Sequence, residues 1–333
     1  MELNPNYPTP VEHLTRLSRV GDAGDPTFAP CDLWVKREDL THPAYGGNKV
    51  RKLERILVEA RARGVRRIVT VGAAGSHQVL ATALFGRQAG FDVEAVLLPQ
   101  PRSEHAVANL RAALGLGARV FPVRSYAAAP WAIVRRLYAP RGGLAGHGPT
   151  LYVPVGGSNR QGTLGYVDAA RELAKQIREG AMPEPDVAVV TLGSGGTAAG
   201  LAAGLAIEGL KTRVVGVAVA APVWGVSLAA RWLAWRCGRW RVRLRVEGRY
   251  LGRGYGHRTP SGDRATMLAE ASGLTLDPTY TAKAFAAALD LVASGRHRHV
   301  LYVHTLSSAP MAPLLAGAPG EQDLGPELAQ LFR

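Results

Sequence analysis

No charged residue occurs between Val187 and Ile207. A run this apolar either spans a bilayer or is buried on all sides in a globular core. Its glycines decide between the two. Gly193, Gly195, Gly196, Gly200 and Gly204, with Ser194, Thr191 and Thr197, break the run. It reads as a buried strand at 187–192, a glycine turn, and a helix at 197–208.

The same unit recurs along the chain. Short apolar strands are expected at 33–35, 67–71, 92–98, 118–123, 152–155, 214–219 and 300–304. Helical spacing is expected at 49–63, 78–89, 104–114, 131–138, 162–179, 264–271 and 281–294. This alternation argues for parallel α/β layers. Arg241–Val246 alternates with period two, which reads as a strand with arginines on one face. Residues 1–30 are Pro-rich and read as irregular, and 140–149 as a loop. A length of 333 residues gives a prior of two domains.

Hydrophobic residues make up 47% and charged residues 20%, which excludes wholesale disorder. The two cysteines, Cys31 and Cys237, form no CxxC pattern. The N-terminus shows no secretory signal. Together these argue for a reducing, cytoplasmic setting. The net charge of +14 comes almost wholly from arginine, with only six lysines. Where lysine is scarce, Lys36, Lys49, Lys52 and Lys283 become functional candidates. Arginines from Arg231 to Arg258, with Trp232, Trp235 and Trp240, raise a nucleic-acid reading. No nucleic-acid motif accompanies them, and helix or interface packing explains the tryptophans better. His297 and His299 form an HxH without a third ligand, so no metal is expected. No GxSxG elbow is present.

Two motifs carry chemistry. Gly193-Ser194-Gly195-Gly196-Thr197 lies between a buried strand and a helix, where converging amides and the helix dipole suit a phosphate. A plain tight turn is the alternative, and glycine content alone leaves both open. Gly46-Gly47-Asn48-Lys49 sets a lysine at a helix start. The dipole there favours the neutral amine that Schiff-base chemistry needs, although a lysine at a helix start, taken alone, is more often simply solvated.

Lys36-Arg37-Glu38-Asp39-Leu40, Gly46 to Lys49 and Arg51-Lys52-Leu53-Glu54 resemble pyridoxal-phosphate (PLP) enzymes of the tryptophan-synthase-β fold. More narrowly, they resemble the 1-aminocyclopropane-1-carboxylate deaminase and D-cysteine desulfhydrase family. Gly75-Ser76, Val153 to Asn159, Gly193 to Thr197, Gly254-Tyr255-Gly256, Leu276 to Lys283 and His304-Thr305 follow in the family's order. The resemblance implies two open, twisted parallel-sheet α/β domains with PLP in the cleft between them. Residues 1–49 and 160–333 would form the large PLP-binding domain and 50–159 the smaller one. It also implies a homodimer and a small amino-acid substrate.

By the same resemblance, Lys49 would carry the cofactor and shuttle protons. Lys52 and the amides of Gly193, Ser194, Gly195, Gly196 and Thr197 would hold the phosphate. Asn48 would contact the cofactor, and Thr305 would sit near the pyridine nitrogen. His77, where the family has Asn, would either make that residue's contact to the cofactor or serve only as a pocket wall. Ser76 would meet the substrate carboxylate or act in proton transfer. Tyr280 and Tyr255 would lie over the substrate, Tyr280 as an acid/base candidate.

Three departures stand out. The family's Ser-Asn-His is here Ser76-His77-Gln78. Its His-Thr-Gly-Gly is His304-Thr305-Leu306-Ser307-Ser308, where lost glycines are expected to crowd the ring edge or substrate side. Thr281 stands where the ring-opening deaminases generally have Glu. This last departure leans toward α,β-elimination from a small amino acid, giving pyruvate and ammonia. Ring-opening deamination is the alternative. A PLP-binding protein with a different biosynthetic role is another.

Overall fold

The computed structural model describes residues 3–18, 31–139, 148–239 and 241–332. The expected loop at 140–149 falls mostly outside them, as does Trp240. In chain order the strands are β1 (Val11–His13), β2 (Asp32–Lys36), β3 (Arg67–Ala73), β4 (Asp92–Leu98), β5 (Arg119–Pro122), β6 (Thr150–Val153), β7 (Val187–Leu192), β8 (Arg213–Ala218), β9 (Leu244–Glu247) and β10 (His299–Val303). The main helices are α1 (Asn48–Ala62), α2 (His77–Gln88), α3 (Glu104–Gly115), α4 (Ala129–Leu137), α5 (Arg160–Arg178), α6 (Gly196–Ile207), α7 (Val223–Arg236), α8 (Pro260–Glu270) and α9 (Thr281–Ala293).

The chain divides into two compact units. One comprises Pro5–Arg51 and Thr163–Ala309. Its sheet runs β1-β2-β10-β7-β8-β9, parallel except for β1. Side chains alternate between two cores, as the period of two demands. Val187, Val189, Val215, Val217 and Val300 pack beneath α8 and α9, with Phe285 at the centre. Ala188, Val190, Leu192, Val214 and Leu301 pack beneath α5, α6 and α7. Burial on both faces explains why β7 carries no polar side chain except Thr191.

The other unit comprises 3–4, Lys52–Gly162 and 310–332. Its sheet runs β5-β4-β3-β6, all parallel. Every residue of β3 is buried. The C-terminal segment belongs here. Arg111 Nε donates to the Pro319 carbonyl at 2.7 Å, and Gly115 lies so close to Ala318 that an added Cβ would sit 2.8 Å from its Cα.

The glycines of the Val187–Ile207 run have a packing reason. A Cβ on Gly200 would lie 2.3 Å from the Thr163 carbonyl oxygen, and one on Gly204 would lie 2.4 Å from the Ala170 Cβ. They let α6 press against α5. Among the described residues no helix is long and apolar enough to cross a membrane.

Two expectations need correction. The Pro-rich start is not wholly irregular, because Val11–His13 pairs antiparallel with β2 at its edge. Three residues paired to a distant strand leave no local periodicity to read. The strand expected at 241–246 is shorter and later, at Leu244–Glu247, and Arg241 and Arg243 precede it, exposed.

Neighbouring parallel strands place the candidate site. Leu192 pairs with Ala218, and Val303 pairs with Lys36. The carboxyl ends of β2, β7 and β10 therefore share one sheet edge, the position where open α/β sheets bind ligands.

Candidate active site

The turn after β2 must be glycine. A Cβ on Gly46 would lie 1.9 Å from the Asp39 carbonyl oxygen. Gly47 has φ +87°, and its Cβ would lie 2.6 Å from the Thr305 carbonyl oxygen. That carbonyl accepts the Asn48 amide at 3.2 Å, so the start of α1 is latched to the loop after β10. Lys49 follows, partly exposed. Its Nζ donates to Asn48 Oδ1 at 2.9 Å. Asn48 Nδ2 in turn donates to Thr197 Oγ1 at 3.0 Å.

Burial pushes the Lys49 amine down from 10.5 to about 8, while the charge of Asp277 works against that shift. Dense surroundings thus poise the amine between its two forms near neutral pH. In cofactor-free protein, trinitrophenylation of Lys49 should therefore rise with a midpoint near pH 8. Peptide mapping across a pH series checks this, and a midpoint above 10 would contradict the burial argument.

The glycine loop begins where β7 ends. Gly195, at φ +94°, is the N-cap of α6 and has no side chain to cap it. An added Cβ there would lie 3.1 Å from the Ala230 backbone. The amino end of a buried helix thus opens at Gly193 and Ser194, which are partly exposed. At one end of the loop Thr197 meets Asn48. At the other, a Cβ on Gly193 would touch the Tyr280 ring at 3.7 Å.

Asp277 organises the turn that delivers Tyr280. Its carboxylate accepts the amides of Thr279, Tyr280 and Thr281 and the Thr281 hydroxyl, the last at 2.7 Å. Thr281 is 1% exposed, and its hydroxyl also accepts the Asp277 amide. Thr281 is therefore committed to the turn. The hydroxyls of Tyr280 and Tyr255 are hydrogen-bonded to each other. Burial, and then Tyr255, hold the Tyr280 phenol well above its ordinary range. Tyr280 is thus a proton donor at neutral pH, not a ready base.

Lys283, fully buried, donates to the carbonyls of Leu251 and Gly254, each at 3.0 Å. It ties down the loop that presents Tyr255. Lysine scarcity had marked it. The role of Asp277 was missed, although Asp-Pro followed by Thr281 is a turn-and-cap signature.

Two of the three residues after Thr305 spend their hydroxyls on the turn after β2. Ser307 Oγ accepts the Gly46 amide at 2.8 Å, and Ser308 Oγ donates to Asp39 Oδ2 at 2.5 Å. Both hydroxyls stitch the loop to the turn after β2. The Thr305 carbonyl holds α1.

In the other unit, Lys52 Nζ donates to the Gly156 carbonyl at 2.9 Å and to Ser158 Oγ at 3.2 Å. Ser76 caps α2, its hydroxyl accepting the Gln78 amide at 3.2 Å. His77 Nε2 lies 2.8 Å from His105 Nε2, and Asn109 Nδ2 lies 3.3 Å from the same His105 nitrogen.

A poised amine latched beside the amino end of a helix forms a receptor for an anion bearing a carbonyl group. The chemistry of these residues suits pyridoxal phosphate: glycine amides could meet a phosphate and the Lys49 amine a carbonyl carbon, with a Thr305 hydroxyl in the loop after β10. The chain matches the model of the pyridoxal-phosphate dependent enzymes over residues 3–305 and belongs to that family, with pyridoxal phosphate as its cofactor.

Among its relatives is a protein of Pyrococcus furiosus provisionally named 1-aminocyclopropane-1-carboxylate deaminase. It is 35% identical, over 92% of this chain and 91% of its own. The nocardicin C-9′ epimerase of Nocardia uniformis is 36% identical, over 88% and 92%. A crystal structure of an ACC deaminase homologue superposes with a TM-score of 0.76 at 28% identity, covering 93% and 94%.

Proposed function

We propose that the protein is a deaminating lyase that removes the α-hydrogen of a small amino acid and releases ammonia and a 2-oxo acid. One observation carries this reading. Lys49, at about 8, can exist as a free base near neutral pH at the mouth of the Gly193–Thr197 loop. Bound there, pyridoxal phosphate supplies the electron sink that makes the α-hydrogen acidic.

The chain's own residues supply the rest. Gly193, Ser194, Gly195, Gly196 and Thr197 hold the phosphate, with the α6 dipole behind them. Lys49 Nζ takes the α-proton, and Asn48, held by Thr197, orients that amine. Tyr280, kept protonated and paired with Tyr255, gives a proton to the departing group. In α,β-elimination the Cα–H bond and the bond from Cβ to its substituent break. Water then replaces nitrogen, leaving pyruvate, ammonia and the departing group.

The buried Thr281 offers no further acid or base. That favours elimination, which needs none, over opening of a cyclopropane ring. The names of the deaminase relatives favour ring opening. Both routes end in ammonia and a 2-oxo acid. The epimerase relative supports a second reading, in which the proton that Lys49 removes is replaced on the other face of Cα, with Tyr280 as the candidate donor.

A panel assay separates these outcomes. The loaded enzyme is given D-cysteine, L-cysteine, β-chloro-D-alanine and 1-aminocyclopropane-1-carboxylate, with ammonia, sulfide and oxo acid measured. The cysteine substrates are also followed in D2O for α-hydrogen exchange. Pyruvate and sulfide from D-cysteine are expected. Oxobutanoate from the cyclopropane substrate would shift the reading to ring opening. Exchange with inversion and no ammonia would replace the lyase reading by epimerisation.

A further inference from the structure

The helix α7 is apolar on two opposite faces. Its inner residues Ala230, Leu233 and Ala234 are buried against the sheet, with Val226 packed beside them. Its outer residues Trp224, Leu228, Trp232 and Trp235 are 74, 64, 52 and 56% exposed. At 100° per residue these four fall within an arc of about 80° and extend for about 16 Å along the helix. The arc lies opposite the buried face. No residue of the candidate site belongs to this helix, so the site does not account for the stripe.

Three tryptophans and a leucine at these exposures present roughly 500 Å² of apolar surface. That matches the largest patch an ordinary monomer exposes, about 300–600 Å². It also approaches the apolar share of one side of a standard interface, which buries about 800 Å² per partner. A helix apolar all round is normally covered all round.

We propose that a second copy of this chain covers the stripe, by antiparallel two-fold packing of α7 on α7. The spacing is self-complementary, as an isologous contact requires. A two-fold axis facing the midpoint between Ala229 and Ala230 sets Trp224 against Trp235 and brings Leu228 within about one residue's rise of Trp232. The charges permit it. The helix carries Arg231 and Arg236 and no carboxylate. Arg231 is turned aside, its Nη2 donating to the Leu244 carbonyl at 3.0 Å. The Arg236 guanidinium already stacks over Trp232, 5.4 Å from the ring centre. Across the axis it falls beside Trp224, where a cation meets an indole face and not another guanidinium.

The resemblance implies a homodimer but assigns no interface to this helix. The inference stands apart from the reaction. Each copy carries +14, so this association strengthens as salt screens their repulsion. Docking on an anionic bilayer or nucleic acid would weaken with salt.

Sedimentation velocity of the full-length, cofactor-loaded protein tests this over a concentration series at low and moderate salt. The variants are Leu228→Asp and Trp232→Glu on α7, with Trp131→Glu on α4 as a control. Trp224→Ser stands in if either α7 variant fails to fold by circular dichroism. The wild type and Trp131→Glu are expected to sediment as a dimer or larger. Each α7 variant should lose one association step while keeping the visible cofactor band. A wild type that is monomeric throughout would overturn the proposal. So would α7 variants of unchanged size. Binding to phosphatidylserine vesicles or duplex DNA that Leu228→Asp abolishes without changing the sedimenting species would assign the stripe to an anionic partner and overturn it too.

Discussion

Lys49→Ala is expected to lower turnover about a thousandfold or more, with the fold intact. The side chain makes one internal hydrogen bond, to Asn48. The start of α1 is held without it, by the Asn48 amide on the Thr305 carbonyl and by the close seating of Gly47. The loss therefore falls on chemistry and not on architecture. Lys49→Arg separates charge from proton transfer, because guanidinium stays protonated and can act neither as base nor as a nucleophilic amine near neutral pH. Both variants should be equally inert, and both should keep the wild-type melting midpoint within a degree or two. Steady-state kinetics on the best substrate of the panel, with thermal melts, read this out. Substantial turnover by either variant would remove Lys49 from the centre of the site.

The second large effect is on stability. Beneath the turn after β2, Glu38 and Arg51 are almost wholly buried. Arg51 donates to both Glu38 oxygens, at 2.6 and 2.8 Å, and to Glu172. Thr9 and Tyr166 donate to Glu38 as well. Lys36 Nζ donates to Glu172 at 2.5 Å. Burial alone would raise the Glu38 carboxyl, but Arg51, Lys36 and Thr9 together outweigh it and bring the group down to about 2.

Arg51→Met leaves that carboxylate buried without its counter-ion. A cost of about 3–5 kcal/mol is expected, as for other buried pairs broken on one side. The double variant Glu38→Leu with Arg51→Met should be less damaged than Arg51→Met alone, since it strands no charge. The pH sign follows from the lowered value. The contribution of Glu38 is present above its ordinary 4.5 and is lost as pH falls toward about 2. Denaturant melts of the three proteins at pH 7 and at pH 4 check both statements. A double variant weaker than Arg51→Met would contradict them.

The sequence showed most of the parallel-sheet core because its strands are short, mostly apolar runs set between stretches of helical spacing. β4 and β7 lie where periodicity put them. β1 was hidden, since three residues paired with β2 carry no local signal. α7 was hidden too. Tryptophans on its outer face and alanines on its inner face blur the one-sided pattern by which helices are read. The glycine loop and Lys49 stood out as candidates because clustered glycines and a scarce lysine are conspicuous, and the family resemblance joined them.

The work of Asp277, Ser307 and Ser308 was not legible. Each acts through a hydrogen bond to a position set by the fold, and for the serines that position is distant in the chain. The expectation of crowding by Leu306, Ser307 and Ser308 reckoned with their bulk; the hydroxyls of the two serines have a further use, since Gly46 and Asp39 take them up. Thr281 points the same way. It reads as a marker of substrate choice, yet its hydroxyl is spent on Asp277.

The central claim is that Lys49 and the Gly193–Thr197 loop together hold pyridoxal phosphate. The most direct measurement is the visible spectrum of the purified protein with the cofactor, before and after borohydride, followed by mapping of the modified peptide. The expected result is a visible band lost on reduction, with the pyridoxyl mass on Lys49 alone. No visible band, or the label on Lys36, Lys52 or Lys283 in place of Lys49, would contradict it.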